Sequence, residues 1–163
     1  MDYWDEKYKD GYKAYGEGLS NDEKDYIKIL IEKSKNIDKI LEVGVGDGRM
    51  VKILQKHTKA LFYGCDISKN VDPPCCFDIA DARELPYSND FFNMIYSLGT
   101  VEHFPETYVA ITEQFRVCKS GGYVICIVPH SSINTFYRYI KMKSTGMTDE
   151  NIHKINGLLG WKI

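Results

Sequence analysis

Residues 41 to 48 read Leu-Glu-Val-Gly-Val-Gly-Asp-Gly, and Asp66 follows eighteen residues after Gly48 at the end of a second apolar run, Leu61-Phe62-Tyr63-Gly64-Cys65. A strand, a glycine-rich turn and a second strand ending in a carboxylate form the arrangement by which a doubly wound α/β sheet holds a nucleoside cofactor. The glycines let backbone pass close to a ligand, and the later carboxylate can accept hydrogen bonds from two ribose hydroxyls. The spacing discriminates further. A dinucleotide-binding turn is G-x-G-x-x-G, whereas Gly44-Val45-Gly46-Asp47-Gly48-Arg49 is G-x-G-x-G with arginine where the third glycine of that motif should stand.

The turn resembles that of the class I S-adenosylmethionine-dependent methyltransferases acting on small molecules, and the resemblance extends along the chain. Asp81-Ala82-Arg83-Glu84-Leu85-Pro86-Tyr87, followed by Phe91 to Ser97, is similar to that family's D-A-x-x-L-P-F stretch running into its fourth strand. Leu98-Gly99-Thr100-Val101-Glu102-His103-Phe104 resembles the loop and helix start after it, and Arg116-Val117-Cys118-Lys119-Ser120-Gly121-Gly122 resembles the R-x-L-K-P-G-G turn before the fifth. The resemblance implies a doubly wound, mostly parallel Rossmann-like sheet and S-adenosylmethionine as cofactor. It implies Gly44, Gly46 and Gly48 beside the methionine part, with Glu42 beneath the turn. Asp66 would take the ribose hydroxyls and Ile67 would lie against the adenine. Asp81 would meet the adenine amino group, Ala82 would border the ring, and the backbone at Ser97 and Leu98 would face the methionine end.

Composition sets wider bounds. A chain of 163 residues with 44% apolar and 27% charged residues is of ordinary globular type and long enough for one core. The net charge of −2 points to neither nucleic acid nor membrane. No apolar run reaches the ~20 residues of a membrane span, the amino terminus does not read as a signal peptide, and the cytoplasm is the expected compartment. Five cysteines, Cys65, Cys75, Cys76, Cys118 and Cys126, sit mostly in apolar runs and lack zinc-site spacing, so they read as reduced thiols and no metal site is expected.

The patterning predicts an amino-terminal aromatic segment over residues 1–19, then a methyltransferase-like domain over 20–163. Ser20 to Glu23 reads as a capping box opening a helix to about Asn36. Strands are expected at about Lys39 to Val43, Ala60 to Asp66, Cys75 to Asp78, Phe92 to Ser97 and Tyr123 to Val128. A helix after Gly48 fits Met50 to Lys56, and another, Glu106 to Cys118, is expected to turn Val109, Thr112 and Phe115 inward. Residues 67 to 74 contain Pro73-Pro74 and are too few for a regular crossover helix, so at most one helical turn is expected there. Thr148 should open a last helix to about Leu159.

At the carboxyl end the expected pattern stops short of the family's terminal β6/β7 hairpin. Leu158 to Ile163 looks like the approach to a sixth strand, the domain reads as incomplete there, and strand five is expected to have an unpaired side. A homo-oligomer or another partner could cover it.

Several residues admit two readings. His103 can take a proton from an acceptor, or pack and cap the following helix together with Glu102. Position 99 is Gly, so the E-x-x-E-H arrangement by which some relatives bind a divalent metal lacks a carboxylate. Tyr3, Trp4, Tyr8, Tyr12 and Tyr15 can form a lid that excludes water, or can simply pack. The basic, aromatic stretch from Phe136 to Lys143 reads as a solvated helix face ahead of an anion-binding one. For the whole chain, methyl transfer to a small molecule leads. The alternative is a cofactor-binding but inactive domain, or an interaction module that needs a partner to finish its sheet. A nicotinamide oxidoreductase fails at Arg49.

Overall fold

Each apolar run becomes a strand because its alternate residues find cover on opposite sides. The computed structural model describes residues 3–9, 21–129 and 137–143. Strands β1 (Lys39–Val43), β2 (Leu61–Asp66), β3 (Cys76–Ile79), β4 (Phe92–Leu98) and β5 (Cys118–Pro129) pair in parallel, and β6 (Tyr137–Lys143) pairs antiparallel to β5, giving the order β3-β2-β1-β4-β5-β6. Helix α1 spans Tyr3–Lys9, α2 Asn21–Lys33, α3 Arg49–Leu54 and α4 Thr107–Val117. Leu41, Val43, Ile95, Val124 and Cys126 pack with Ala110, Ile111 and Phe115 of α4. Their alternates Ile40, Met94, Tyr96, Ile125 and Ile127 pack with Tyr26, Ile27 and Leu30 of α2 and Val51 and Leu54 of α3. A sheet covered on both faces needs strands that are apolar throughout, which is why the runs show no polar alternation.

Two family-like stretches are physically one structure. Arg116, near the end of α4, donates to the carbonyls of Leu85 (2.9 Å) and Tyr87 (2.8 Å) and to Asn89 Oδ1 (2.9 Å). Glu113, one turn earlier, pairs with Arg116 at 2.6 Å and accepts the Leu85 N–H at 3.0 Å. The loop leading into β4 is thus held at both backbone groups of Leu85.

The connection from β2 to β3 contains no helix, as its length predicts, and the two strands are parallel neighbours. A Cβ on Gly48, which has φ +68°, would lie 2.5 Å from Pro74 Cδ and 2.9 Å from Pro73 Cβ. The prolines therefore close over the glycine turn, where a bulkier residue at 48 would hold them off.

Other expectations are corrected. The side of β5 expected to lack a neighbour is paired along Tyr123 to Pro129 with Lys143 to Tyr137, so the stretch read as a solvated helix face is a strand. The inward face of α4 is Ala110, Ile111, Gln114 and Phe115, while Val109 and Thr112 are only partly buried. The face is displaced because a fully buried polar residue belongs to it: Gln114 lies 3.5 Å from Ser97 Oγ and accepts from the Cys126 thiol at 3.6 Å. Ser20, Phe136, the expected helix from Thr148 and the Leu158 to Ile163 segment lie outside the described residues.

Candidate functional site

The chain leaves β1 toward β2 and β3 on one side, while β4 and β5 extend the sheet on the other, which opens a crevice at the carboxyl ends of β1 and β4. Gly44 and Val45 donate to the carbonyl of Cys65 at the end of β2 (2.8 and 3.0 Å), and Gly99, just after β4, donates to that of Ile127 (2.8 Å). Both mouths of the crevice are therefore pinned to neighbouring strands. Gly44 and Gly46 have φ of +75° and +50°, the left-handed region that side chains disfavour. Space is also short: a Cβ would come within 2.2 Å of Thr100 Oγ1 at Gly44 and 2.5 Å of the Tyr8 hydroxyl at Gly46.

A cavity of about 510 Å³ fills this crevice. Of the residues singled out from sequence, Glu42, Gly44, Gly46, Asp66, Ile67, Ala82, Leu98 and His103 line it, whereas Gly48, Asp81 and Ser97 do not. Gly48 is under the two prolines, and Ser97 is fully buried beside Gln114. Asp81 is engaged by Arg83, which donates to it from the backbone (2.8 Å), from Nε (3.1 Å) and from Nη2 (2.7 Å). These contacts hold its carboxyl below the usual range. The same guanidinium reaches Glu106 at 3.1 Å.

Asp66 is fixed by the backbone donors around it. The Gly46 N–H donates to Oδ2 at 2.9 Å and the Ser68 N–H to Oδ1 at 3.0 Å, so the carboxylate is fixed beside the glycine turn and 7% exposed. Glu42 lies deeper. It is 4% exposed and accepts from the Tyr96 hydroxyl at 3.0 Å, and burial pushes its carboxyl up to about 8, with the charges of Asp47 and Asp66 adding to the effect.

The remaining walls were less legible. Arg49, the residue that excludes the dinucleotide turn, pairs with Glu23 of α2 at 2.6 Å and lines the cavity with Tyr26 and Met50. On the opposite wall, Val101–His103 forms a 3₁₀ turn. Glu102 does not cap α4: the cap position is Glu106, which makes no side-chain cap bond. Instead Glu102 and His103 both face the cavity, and Oε2 of Glu102 is buried with no hydrogen-bond partner among the described residues. Burial raises the Glu102 carboxyl, and the neighbouring His103 opposes the rise.

Helix α1 crosses the opening. Asp5 accepts from Ser68 Oγ (2.8 Å) and the Lys69 N–H (3.0 Å), and its carbonyl accepts from Asn70 Nδ2 at 3.0 Å. Those contacts hold the Asp5 carboxyl below its usual range, with Ser68 the main cause. At the other side the Trp4 ring meets the exposed His103 ring edge to face at 5.1 Å. Trp4 and Tyr8 complete the cavity wall.

Among the described residues no cluster of His, Cys, Asp or Glu is placed to hold a metal ion. No described helix is long and apolar enough to cross a membrane. Cys65, Cys118 and Cys126 are buried, Cys75 is half-buried, Cys76 is exposed, and all five are thiols.

A parallel sheet in this order, with G-x-G-x-G at the end of β1 and an acid at the end of β2, defines the Rossmann-like methyltransferase fold. Residues 41–126, more than half of the sequence, match the family described as the methyltransferase domain, and the chain belongs to that family. It is 31% identical over 97 residues to methyltransferase GfsG of Streptomyces halstedii, covering 52% of this chain and 35% of that protein. It is 28% identical over 98 residues to the 27-O-demethylrifamycin SV methyltransferase of Amycolatopsis mediterranei, covering 52% and 36%. The chain thus spans about a third of the length of these relatives. Among solved structures, an S-adenosylmethionine-dependent methyltransferase from Mesorhizobium loti superposes with a TM-score of 0.58 at 13% identity, covering 77% of this chain and 66% of that one. A methyltransferase of Haemonchus contortus, solved with S-adenosylhomocysteine, also gives 0.58 at 16% identity, covering 85% and 33%.

Proposed function

We propose that the cavity binds S-adenosylmethionine and that the protein transfers its methyl group to a small-molecule acceptor. The carrying observation is Asp66, a buried carboxylate fixed 2.9 Å from the Gly46 N–H at the switch point of the sheet, in a cavity of about 510 Å³. The donor set fits a cofactor with a ribose and an adenine. Asp66 accepts from the ribose hydroxyls, and Ile67 and Ala82 border the adenine. Asp81, between the lining residues Ala80 and Ala82, accepts from the adenine amino group by turning from Arg83 into the cavity. Gly44 and Gly46 admit the methionine portion beside the Ser97 and Leu98 backbone, Glu42 supports the turn from below, and Gly48 shapes it.

When bound, the cofactor supplies a methyl group on a positively charged sulfur. The chain's part is to align the acceptor and exclude water, since an in-line displacement gains most of its rate from position. Helix α1, latched through Asp5 and leaning on His103 through Trp4, acts as the lid. His103 at the rim takes the acceptor's proton and passes it to solvent. The small-molecule acceptor is supported by relatives such as the rifamycin enzyme.

S-adenosylhomocysteine should raise the melting temperature of the chain. Asp66→Ala, which removes the ribose acceptor, should weaken binding about 10- to 100-fold, from a loss of about 1.5–3 kcal/mol for hydrogen bonds to a charged group. Unchanged affinity in that variant would remove Asp66 from the site.

A further inference from the structure

The wall of the cavity opposite Asp66 carries an unsatisfied acceptor. Glu102 Oε2 is buried without a partner among the described residues, in a molecule whose other buried side-chain polar atoms, where described, find one. A carboxyl oxygen in that state costs free energy unless a donor arrives. The carboxyl stands over Gly99, its Oε1 lying 3.6 Å from where a Cβ on that glycine would be, so no side chain intervenes on that side. Thr100, two residues before Glu102, lies against Gly44, which places Glu102 near the end of the cavity proposed for the methionine portion. Next to it are two ring systems, Trp4 and His103, in edge-to-face contact at 5.1 Å. Aromatic rings beside a buried carboxylate favour a compact cation.

Net charge points the same way. Asp47, Asp66 and Glu102 line the cavity beside Glu42, whose raised carboxyl leaves it largely uncharged at neutral pH, and the one guanidinium there, Arg49, is paired with Glu23. An acceptor carrying phosphate or carboxylate would enter against that field. A phenol or alcohol would donate to Glu102 but gain nothing from the charge or the rings.

On the methyl-transfer reading of this cavity, we propose that the acceptor is an amine, held as its ammonium by Glu102 Oε2 beside the Trp4 and His103 rings. The ammonium gives one proton to the His103 imidazole, becoming a neutral amine that still donates an N–H to Glu102. Its lone pair then forms the N–C bond to the methyl group. The C–S bond breaks with its electron pair going to sulfur, which becomes a neutral thioether, and the positive charge passes to the methylated nitrogen. The imidazolium returns its proton to solvent.

The test uses the chain saturated with S-adenosylhomocysteine, titrated with benzylamine and with benzyl alcohol, which are alike in size but differ in charge. Calorimetry or ligand-observed NMR at pH 7.5 gives both affinities without turnover. The expected result is a preference for benzylamine of about tenfold, a coupling within the range for a desolvated charge pair with an aromatic neighbour. Glu102→Gln should abolish the preference while leaving the affinities for S-adenosylhomocysteine and benzyl alcohol unchanged. Trp4→Leu, which lies outside the core, should reduce the ratio of the two affinities. Equal binding of amine and alcohol, or a preference that survives Glu102→Gln, would overturn the amine assignment alone. Weaker S-adenosylhomocysteine binding in Glu102→Gln would overturn it by moving Glu102 onto the cofactor. No S-adenosylhomocysteine binding by the unsubstituted chain would overturn the cofactor reading and this assignment with it.

Discussion

Glu42→Gln should stabilise the ligand-free chain in a way that grows with pH. The Glu42 carboxyl is 4% exposed and rises from an ordinary 4.5 to about 8, mainly because burial disfavours its charged form. The Tyr96 hydroxyl, donating at 3.0 Å, offsets only part of that effect. A raised carboxyl binds its proton more tightly folded than unfolded. Its contribution to stability is therefore complete below pH 4.5, declines as pH rises and is lost once pH passes about 8. Each tenfold change in proton affinity is worth about 1.4 kcal/mol, so the full decline is at most about 5 kcal/mol. Glutamine keeps a carbonyl acceptor for Tyr96 and has no proton to lose. Urea denaturation at pH 5, 6.5, 8 and 9 measures both proteins, and every other titrating group is common to them. The stability of the variant minus that of the parent should increase by about 2–5 kcal/mol from pH 5 to 9. Parallel curves across that range would mean instead that Glu42 is ionised at neutral pH in the folded chain.

Arg116→Ala should lower stability by about 2–4 kcal/mol, since it leaves Glu113 and the Leu85 and Tyr87 carbonyls without their shared donor; urea denaturation giving a loss below about 0.5 kcal/mol would show that the loop is held otherwise. Asp5→Ala should accelerate amide hydrogen exchange over Tyr3–Lys9 and reduce the protection that S-adenosylhomocysteine confers there, because the latch to Ser68, Lys69 and Asn70 is lost. Unchanged exchange in both states would leave α1 as plain packing.

The parts of the fold legible in the sequence are those fixed by local pattern. The continuous apolar runs at Lys39 to Val43, Phe92 to Ser97 and Tyr123 to Val128 became neighbouring buried strands, and the short Pro73-Pro74 connection formed no helix. What escaped depended on partners distant in sequence. Gln114 rotates the buried face of α4 because Ser97 and Cys126 satisfy it, which apolar periodicity does not register. The open side of β5 was legible, but nothing local in Tyr137-Arg138-Tyr139-Ile140-Lys141-Met142-Lys143 says that this basic aromatic stretch is the strand that covers it. In the site, Gly44 and Gly46 announced themselves because only glycine fits their conformation. Glu102 did not, because an unsatisfied oxygen is a property of its surroundings and not of its spacing. Arg49 was read for what it excluded, and its pairing with Glu23 emerged only when α2 and α3 came together.

On the proposed function, the cavity takes an adenosyl sulfonium cofactor. Calorimetric titration of the chain with S-adenosylmethionine, S-adenosylhomocysteine and NAD in parallel tests it most directly. Saturable binding of both adenosyl ligands with one-to-one stoichiometry, and no heat from NAD, is the predicted result. Tight NAD binding with no response to either adenosyl ligand would make the cavity a dinucleotide site instead.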